Sequence, residues 1–284
     1  MSDGSPEITG QKGEEDTLLR LFDCHIHSTH SSDARSSVDE LCESAIRYGL
    51  HGICVTDHIE FDEAESGYGY FDYDAYIADV LRCRKKYGDK LVIKTGVEVT
   101  YQTEYERDIR QFLKDYEFDF ILGSVHMIGH TSLLDPDYFT GKTEEEAYRL
   151  YWREVLAMVD SGLFQYIGHL DYIKRPRPKE YGPFDFQRWA PQITEIVRRI
   201  IESGAIPEVN TSALRMGFAE PYPSWRILKL YKRLGGTRVV LGSDAHSYYR
   251  VGWEFREVAA KLSRLGLVVC EDEIFPGQSA RWTG

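Results

Sequence analysis

Arg20-Leu21-Phe22-Asp23-Cys24-His25-Ile26-His27 is the stretch whose reading decides the fold. A short apolar run ends in two histidines spaced i, i+2. In an extended chain such residues point to the same face, so both imidazoles can reach one ion where the strand runs out. The same design recurs downstream. Thr56-Asp57-His58, Gly96-Val97-Glu98, Ser124-Val125-His126, Gly168-His169-Leu170-Asp171 and Gly242-Ser243-Asp244-Ala245-His246 each close a short apolar segment with a potential metal ligand. The expected strands are 20–26, 52–56, 91–99, 118–125, 164–169, 206–210 and 238–242.

Amphipathic segments with readable ends separate these strands. Ser37-Val38-Asp39-Glu40 is a capping box whose helix is closed by Gly49, and Thr143-Glu144-Glu145-Glu146 opens another helix, stopped at Gly162. Segment 192–203 places Ile193, Ile196, Val197, Ile200 and Ile201 at helical spacing before Gly204, and further helices are expected near Trp225 and Trp253. This alternation gives about seven βα units and a parallel sheet. Such a sheet can close into a barrel or stay open and doubly wound. No glycine-rich nucleotide loop follows the first strand, and nearly every strand ends in a ligand. Both features favour the barrel, whose C-terminal mouth gathers side chains from many strands.

The 284 residues suit one large domain, with a 42% hydrophobic fraction to supply its core. Residues 1–19 are polar and acidic and read as a flexible tail, leaving 20–284 for the barrel. A net charge of −12 disfavours nucleic acid and anionic membranes as partners. It leaves room for a small phosphorylated metabolite, because bound cations reverse the local sign. The five cysteines are odd in number and form no CxxC, so neither a disulfide framework nor a cysteine-zinc site is expected. With no leader and no spanning apolar run, the expected compartment is the cytoplasm. Nothing in the pattern fixes an oligomeric state.

Six of the nine histidines, His25, His27, His58, His126, His169 and His246, stand where an expected strand ends. One histidine there has an ordinary structural reading as a hydrogen-bonding side chain. Six together, with Glu98 and Asp244, read as a metal centre. His51 and His130 read as surface or packing residues, and His30 as an unassigned neighbour.

In order and combination these motifs resemble the PHP (polymerase and histidinol phosphatase) family, and within it the histidinol-phosphatase branch, over about residues 20–266. The segment from Glu208 to Arg215 and Pro221-Tyr222-Pro223-Ser224 resemble that branch's sixth strand. The resemblance implies a distorted (β/α)7 TIM-like barrel, single-domain, with two to three divalent ions. It implies one ion on His25, His27, Glu98 and Asp244, and a second on Glu98, His126 and His169. A third would take Asp33, His58 and His246, Asp33 standing where some relatives have a histidine. The mixed N/O set suits zinc, iron or manganese without choosing among them.

The implied reaction is hydrolysis of L-histidinol phosphate to L-histidinol and phosphate by a metal-bridging hydroxide held over Glu98, His25, His27, Asp244, His126 and His169. Arg215, and either Arg175 or Arg177, match the family's phosphate-binding arginines. Loop 60–76 combines Glu60, Asp62 and Glu63 with Tyr68, Tyr70, Phe71, Tyr73 and Tyr76. It reads either as a receptor for an amine and a flat ring, with Glu60 binding substrate, or as an aromatic loop packed on the rim. Asp57 and Asp171 are candidate proton donors. The rival readings are a phosphoesterase for a sugar phosphate or nucleotide, a metal-dependent amidohydrolase, and a non-catalytic PHP accessory module.

Overall fold

The computed structural model describes residues 20–175 and 177–270. The tail expected at 1–19 lies outside the described residues, as does the end of the 20–284 unit. Strands β1 (Phe22–Ile26), β2 (Gly52–Ile59), β3 (Val92–Thr100), β4 (Phe120–Ser124), β5 (Tyr166–Ile167), β6 (Ile206–Asn210), β7 (Arg238–Gly242) and β8 (Val268–Val269) form one sheet in chain order, every neighbour parallel. The seven expected strands are all present, and β8 is a short addition. At the mouth the sheet curls shut between β7 and β1: His27 N–H donates to Ala245 O at 2.9 Å and Asp244 N–H to His25 O at 2.7 Å. At the other end β7 pairs with β8 instead, and Cys270 joins Phe22 and Cys24 inside the barrel. The result is a distorted TIM-like barrel.

The helices are α1 (Val38–Tyr48), α2 (Tyr73–Tyr87), α3 (Glu106–Asp115), α4 (Glu144–Asp160), α5 (Phe186–Ser203), α6 (Trp225–Arg233) and α7 (Phe255–Arg264), with one helical turn, Ser212–Arg215, after β6. Both expected capping boxes form: Ser37 with Glu40, and Thr143 with Glu146. Gly49 takes the left-handed φ of 73° that ends α1. Helix α5 starts earlier than position 192, because Asp185 caps it by accepting from Gln187 N–H at 2.9 Å and Pro191 is accommodated within its first turns. Trp253 is not helical: it lies in the turn before α7, ahead of Glu254 with φ 59°.

Helices cover the outer face of the sheet, where Ile53, Val55, Val97, Val99, Ile167, Val209 and Leu241 meet them in the main core. The barrel's lower interior is a second, separate cluster of Phe22, Cys24, Cys54, Phe120, Leu122, Tyr166, Ile206, Val240 and Cys270. It closes the floor beneath the mouth. All five cysteines are free and buried. Among the described residues no helix is long and apolar enough to cross a membrane.

Candidate active site

Strand β1 gains a residue against β2: Asp23 pairs with Ile53 and Ile26 with Val55, so three steps on one strand match two on the other. This bulge reverses the alternation of faces. Phe22 and Cys24 fill the lower interior, Ile26 joins the outer core, and His25 and His27 both face the mouth. On the regular strands the inward positions climb from apolar to small to ligand: Phe120, Leu122, Ser124, His126 on β4, and Val240, Gly242, Asp244 on β7.

Glu98, 1% exposed, is the hub. Its Oε2 lies 3.1 Å from His25 Nε2, 3.4 Å from His27 Nε2 and 3.0 Å from His58 Nδ1. Its Oε1 lies 3.0 Å from His169 Nε2 and 3.5 Å from His126 Nε2, and accepts from Ser124 Oγ at 2.6 Å. Asp244 Oδ1 stands 3.6 Å from His27 Nε2 and 3.4 Å from His246 Nδ1. Asp33 completes the rim, with Oδ2 2.9 Å from His246 Nε2 and 3.8 Å from His58 Nε2. All nine expected ligands are thus brought together.

The ring nitrogens meet in pairs. His25 Nε2 faces His27 Nε2 at 3.0 Å, and His126 Nε2 faces His169 Nε2 at 3.1 Å. The far nitrogen of His27 contacts Ser31 Oγ at 3.3 Å, and that hydroxyl gives its one proton to Asp57 at 2.6 Å. Ser31 can therefore only accept from His27, which leaves His27 Nε2 aprotic and available. His58 Nδ1 is buried and, although 3.0 Å from Glu98 Oε2, lies off the line of a hydrogen bond. Three groups of donors, His27/His58/His246, His25/His27/Asp244 and His58/Glu98/His126, each have ligand atoms within 4.8 Å of one another. Imidazole and carboxylate donors so arranged fit divalent cations of the first transition row.

Burial disfavours an ionised Glu98, yet His25 and His58, with a hydrogen bond from His169, more than offset this and hold its carboxyl well below the usual range. Burial, aided by His58 and His246, keeps His27 far below an ordinary imidazole. Burial likewise takes His126 down to about 3, against the pull of Glu98. Both rings are neutral at pH 7, the form in which histidine binds a metal.

Above this centre opens a cavity of about 410 Å³. Arg175 and Arg215 line it, as do Arg35, Arg250, Tyr172 and Tyr249, which the sequence reading missed. Arg215 is braced by Ser243 O at 2.6 Å and Asp244 O at 3.0 Å, and Arg175 rests on the Tyr172 ring at 5.4 Å. Arg177 does not line the cavity: its guanidinium donates to Gly182 O and Lys174 O within its own loop.

Of loop 60–76, Glu60, Glu65, Ser66 and Gly67 face the cavity. Glu60 is 8% exposed, has Oε2 without a partner, and is pushed up to about 8 by burial against the pull of His58. The loop's rings do not line the cavity: Phe71 packs on the core, Tyr73 lies against Tyr116, and the buried Tyr76 hydroxyl ties β2 to β3. Asp62 is tied to Gln102 and His130. Neither candidate proton donor lines the cavity. Asp57 accepts from Ser28 and Ser31, and Asp171 from Lys174 and Ser224, so both serve as buried braces. His30 lies by Asp79 and Tyr76, outside the centre, and His130 is 57% exposed.

Three comparisons bear on this geometry. The sequence profile of the PHP domain family matches residues 23–212. Over 238 residues the chain is 27% identical to a probable histidinol-phosphatase of Clostridium acetobutylicum, covering 83% of this chain and 90% of the relative. It is 29% identical over 230 residues to the histidinol-phosphatase of Lactococcus lactis, covering 80% and 85%. The crystal structure of histidinol phosphate phosphatase from Lactococcus lactis, complexed with zinc, L-histidinol and phosphate, superposes with a TM-score of 0.80 at 27% identity, covering 88% of this chain and 95% of that one.

Proposed function

This chain belongs to the PHP domain family, and from that premise we propose that it is a metal-dependent phosphomonoesterase that hydrolyses L-histidinol phosphate to L-histidinol and inorganic phosphate. The observation that carries the reading is the Glu98 hub, with five imidazole nitrogens within 3.5 Å of its two oxygens, at the base of an arginine-lined cavity. The likeness to the Lactococcus lactis enzyme, whose structure holds zinc, L-histidinol and phosphate, supplies the substrate.

Two to three divalent ions, zinc, iron or manganese, would be held by His25, His27, Glu98 and Asp244, by Glu98, His126 and His169, and by Asp33, His58 and His246. When bound, such ions supply Lewis acidity, neutralising phosphate oxygens and acidifying water near neutral pH. The chain's own residues do the rest. Arg215 and Arg175 present guanidinium forks that match phosphate oxygens. The backbone carbonyls behind Arg215 and the ring beneath Arg175 restrict both side chains. Glu60 stands on the acidic side of the cavity with an unpartnered buried oxygen, and an ammonium group of the substrate placed there would favour the ionised form of a carboxyl that burial pushes up to about 8. Strands β5, β6 and β7 bring the cations and β2 brings the carboxylates, so the cavity would orient a molecule with an anion at one end and an amine at the other.

The test is phosphate release from histidinol phosphate, sugar phosphates, nucleotides and p-nitrophenyl phosphate, after chelation and after repletion with zinc, iron or manganese. Histidinol phosphate is expected to lead by orders of magnitude in kcat/KM, with chelation abolishing turnover. If another ester leads, the phosphatase stands and the substrate falls. If no ester is cleaved with any metal, the phosphatase reading itself fails.

A further inference from the structure

Strand β6 is the one principal strand that offers no metal ligand, yet it sends two polar side chains inward at i, i+2, Glu208 and Asn210. Glu208 is 1% exposed, and both of its oxygens are used. Oε1 contacts His25 Nδ1 at 2.7 Å and accepts from Asn210 Nδ2 at 3.1 Å. Oε2 accepts from the backbone N–H of His169 at 2.7 Å. Asn210 Nδ2 also reaches Asp244 Oδ2 at 3.4 Å. Space for the carboxylate is built into β7: a Cβ at Gly242 would collide with Glu208 Oε1 and with His25.

We infer that Glu208 is a positioning residue that fixes His25 as the Nδ1–H form, with Nε2 turned to the ion, and clamps the His169 end of β5 against it. A carboxylate only accepts hydrogen bonds, so a 2.7 Å contact with Nδ1 places the proton on that nitrogen. Nε2, 3.1 Å from Glu98 and 3.0 Å from His27 Nε2, is then the ligating atom. Carboxylates behind ligating histidines typically hold the ring and raise its basicity, and their loss typically weakens metal binding about 10–100-fold. Here one carboxylate touches ligands of two proposed ion positions. The loss should therefore reach both the His25/His27/Asp244 and the Glu98/His126/His169 groups. Glutamine has only one acceptor oxygen and cannot serve His25, Asn210 and His169 together.

The inference rests on His25 being a metal ligand, and the experiment separates the two. Zinc affinity of the full chain is measured by competition with a chromogenic chelator for the wild type and for Glu208→Gln. The expected result is a roughly 10–100-fold weaker affinity in the variant, with the far-UV circular dichroism of the metal-free protein unchanged. In parallel, long-range 1H–15N spectra of zinc-loaded wild type should show the His25 proton on Nδ1 and a metal-shifted Nε2. This arm needs no variant and stands even if Glu208→Gln fails to fold. Equal zinc affinity in both proteins, or zinc on His25 Nδ1, overturns the role of Glu208. A wild type that binds no zinc, iron or manganese overturns the metal reading beneath it.

Discussion

The lower and upper halves of the barrel interior are built on the same strands and have opposite chemistry. Below, Phe22, Cys24, Cys54, Phe120, Leu122, Tyr166, Ile206, Val240 and Cys270 make an apolar floor. Above, further along the strands, Glu98 sits among histidines whose ring nitrogens meet in pairs. Hydrophobic burial holds the floor and needs nothing added. The upper half gathers buried carboxylates and imidazoles, all of them donor types that suit a divalent cation. The two halves therefore divide the work: the floor holds the barrel closed, and the mouth carries the polar cluster.

That division can be broken from either side. The largest effect is expected from Glu98→Gln, which removes the hub's charge while keeping its shape. Losing several kcal/mol of charge stabilisation corresponds to about a 1000-fold or greater fall in kcat/KM for the phosphate ester, with metal content reduced. The secondary structure of the metal-free protein should be unchanged. Steady-state kinetics and metal analysis check this, and a variant that unfolds would mean that the upper half does hold the barrel.

Phe120→Ala attacks the floor and should show the reverse pattern. A buried phenylalanine truncated to alanine costs roughly 3–5 kcal/mol of stability. Denaturant unfolding would read that loss, while kcat/KM of the metal-loaded enzyme well below its melting temperature stays within about twofold. A large activity loss without destabilisation would show that the halves are coupled.

Two arginines sharpen the boundary of the upper half. Arg215→Ala should raise KM for the phosphate ester about 10-fold or more, the scale of one lost charge-assisted hydrogen bond. Unchanged KM would remove Arg215 from the phosphate site. Arg177→Ala, whose guanidinium closes its own loop, should leave KM within about twofold, and a larger change would place it at the cavity.

Much of this was legible before any coordinates. The capping boxes at Ser37 and Thr143, the left-handed Gly49 and the strand-end ligands are local signals, read from spacing within a few residues. The errors were also local ones carried too far. Helix α5 was read only from position 192, although Asp185 had already capped it ahead of Pro191. Tyr73 and Tyr76 follow a ligand strand in the sequence but turn away from the cavity, since their rings are claimed by Tyr116 and by the β2 and β3 backbones. Glu208 left a readable trace, an inward polar pair at i, i+2 matching His25 and His27, but nothing in the sequence says which ligand it faces.

The sequence by itself determined that the chain is a barrel of βα units with nitrogen and oxygen donors at its mouth, because periodicity of two, helix caps and ligand types are properties of short segments. Only the tertiary structure decided that a bulge in β1 turns both His25 and His27 inward, that Arg175 lines the cavity while Arg177 does not, and that Glu208 stands behind His25. The physical reason is register. Which side chain meets which across a closed sheet depends on how strands far apart in the chain slide against one another, and a single added residue in one strand reverses the faces of all that follow.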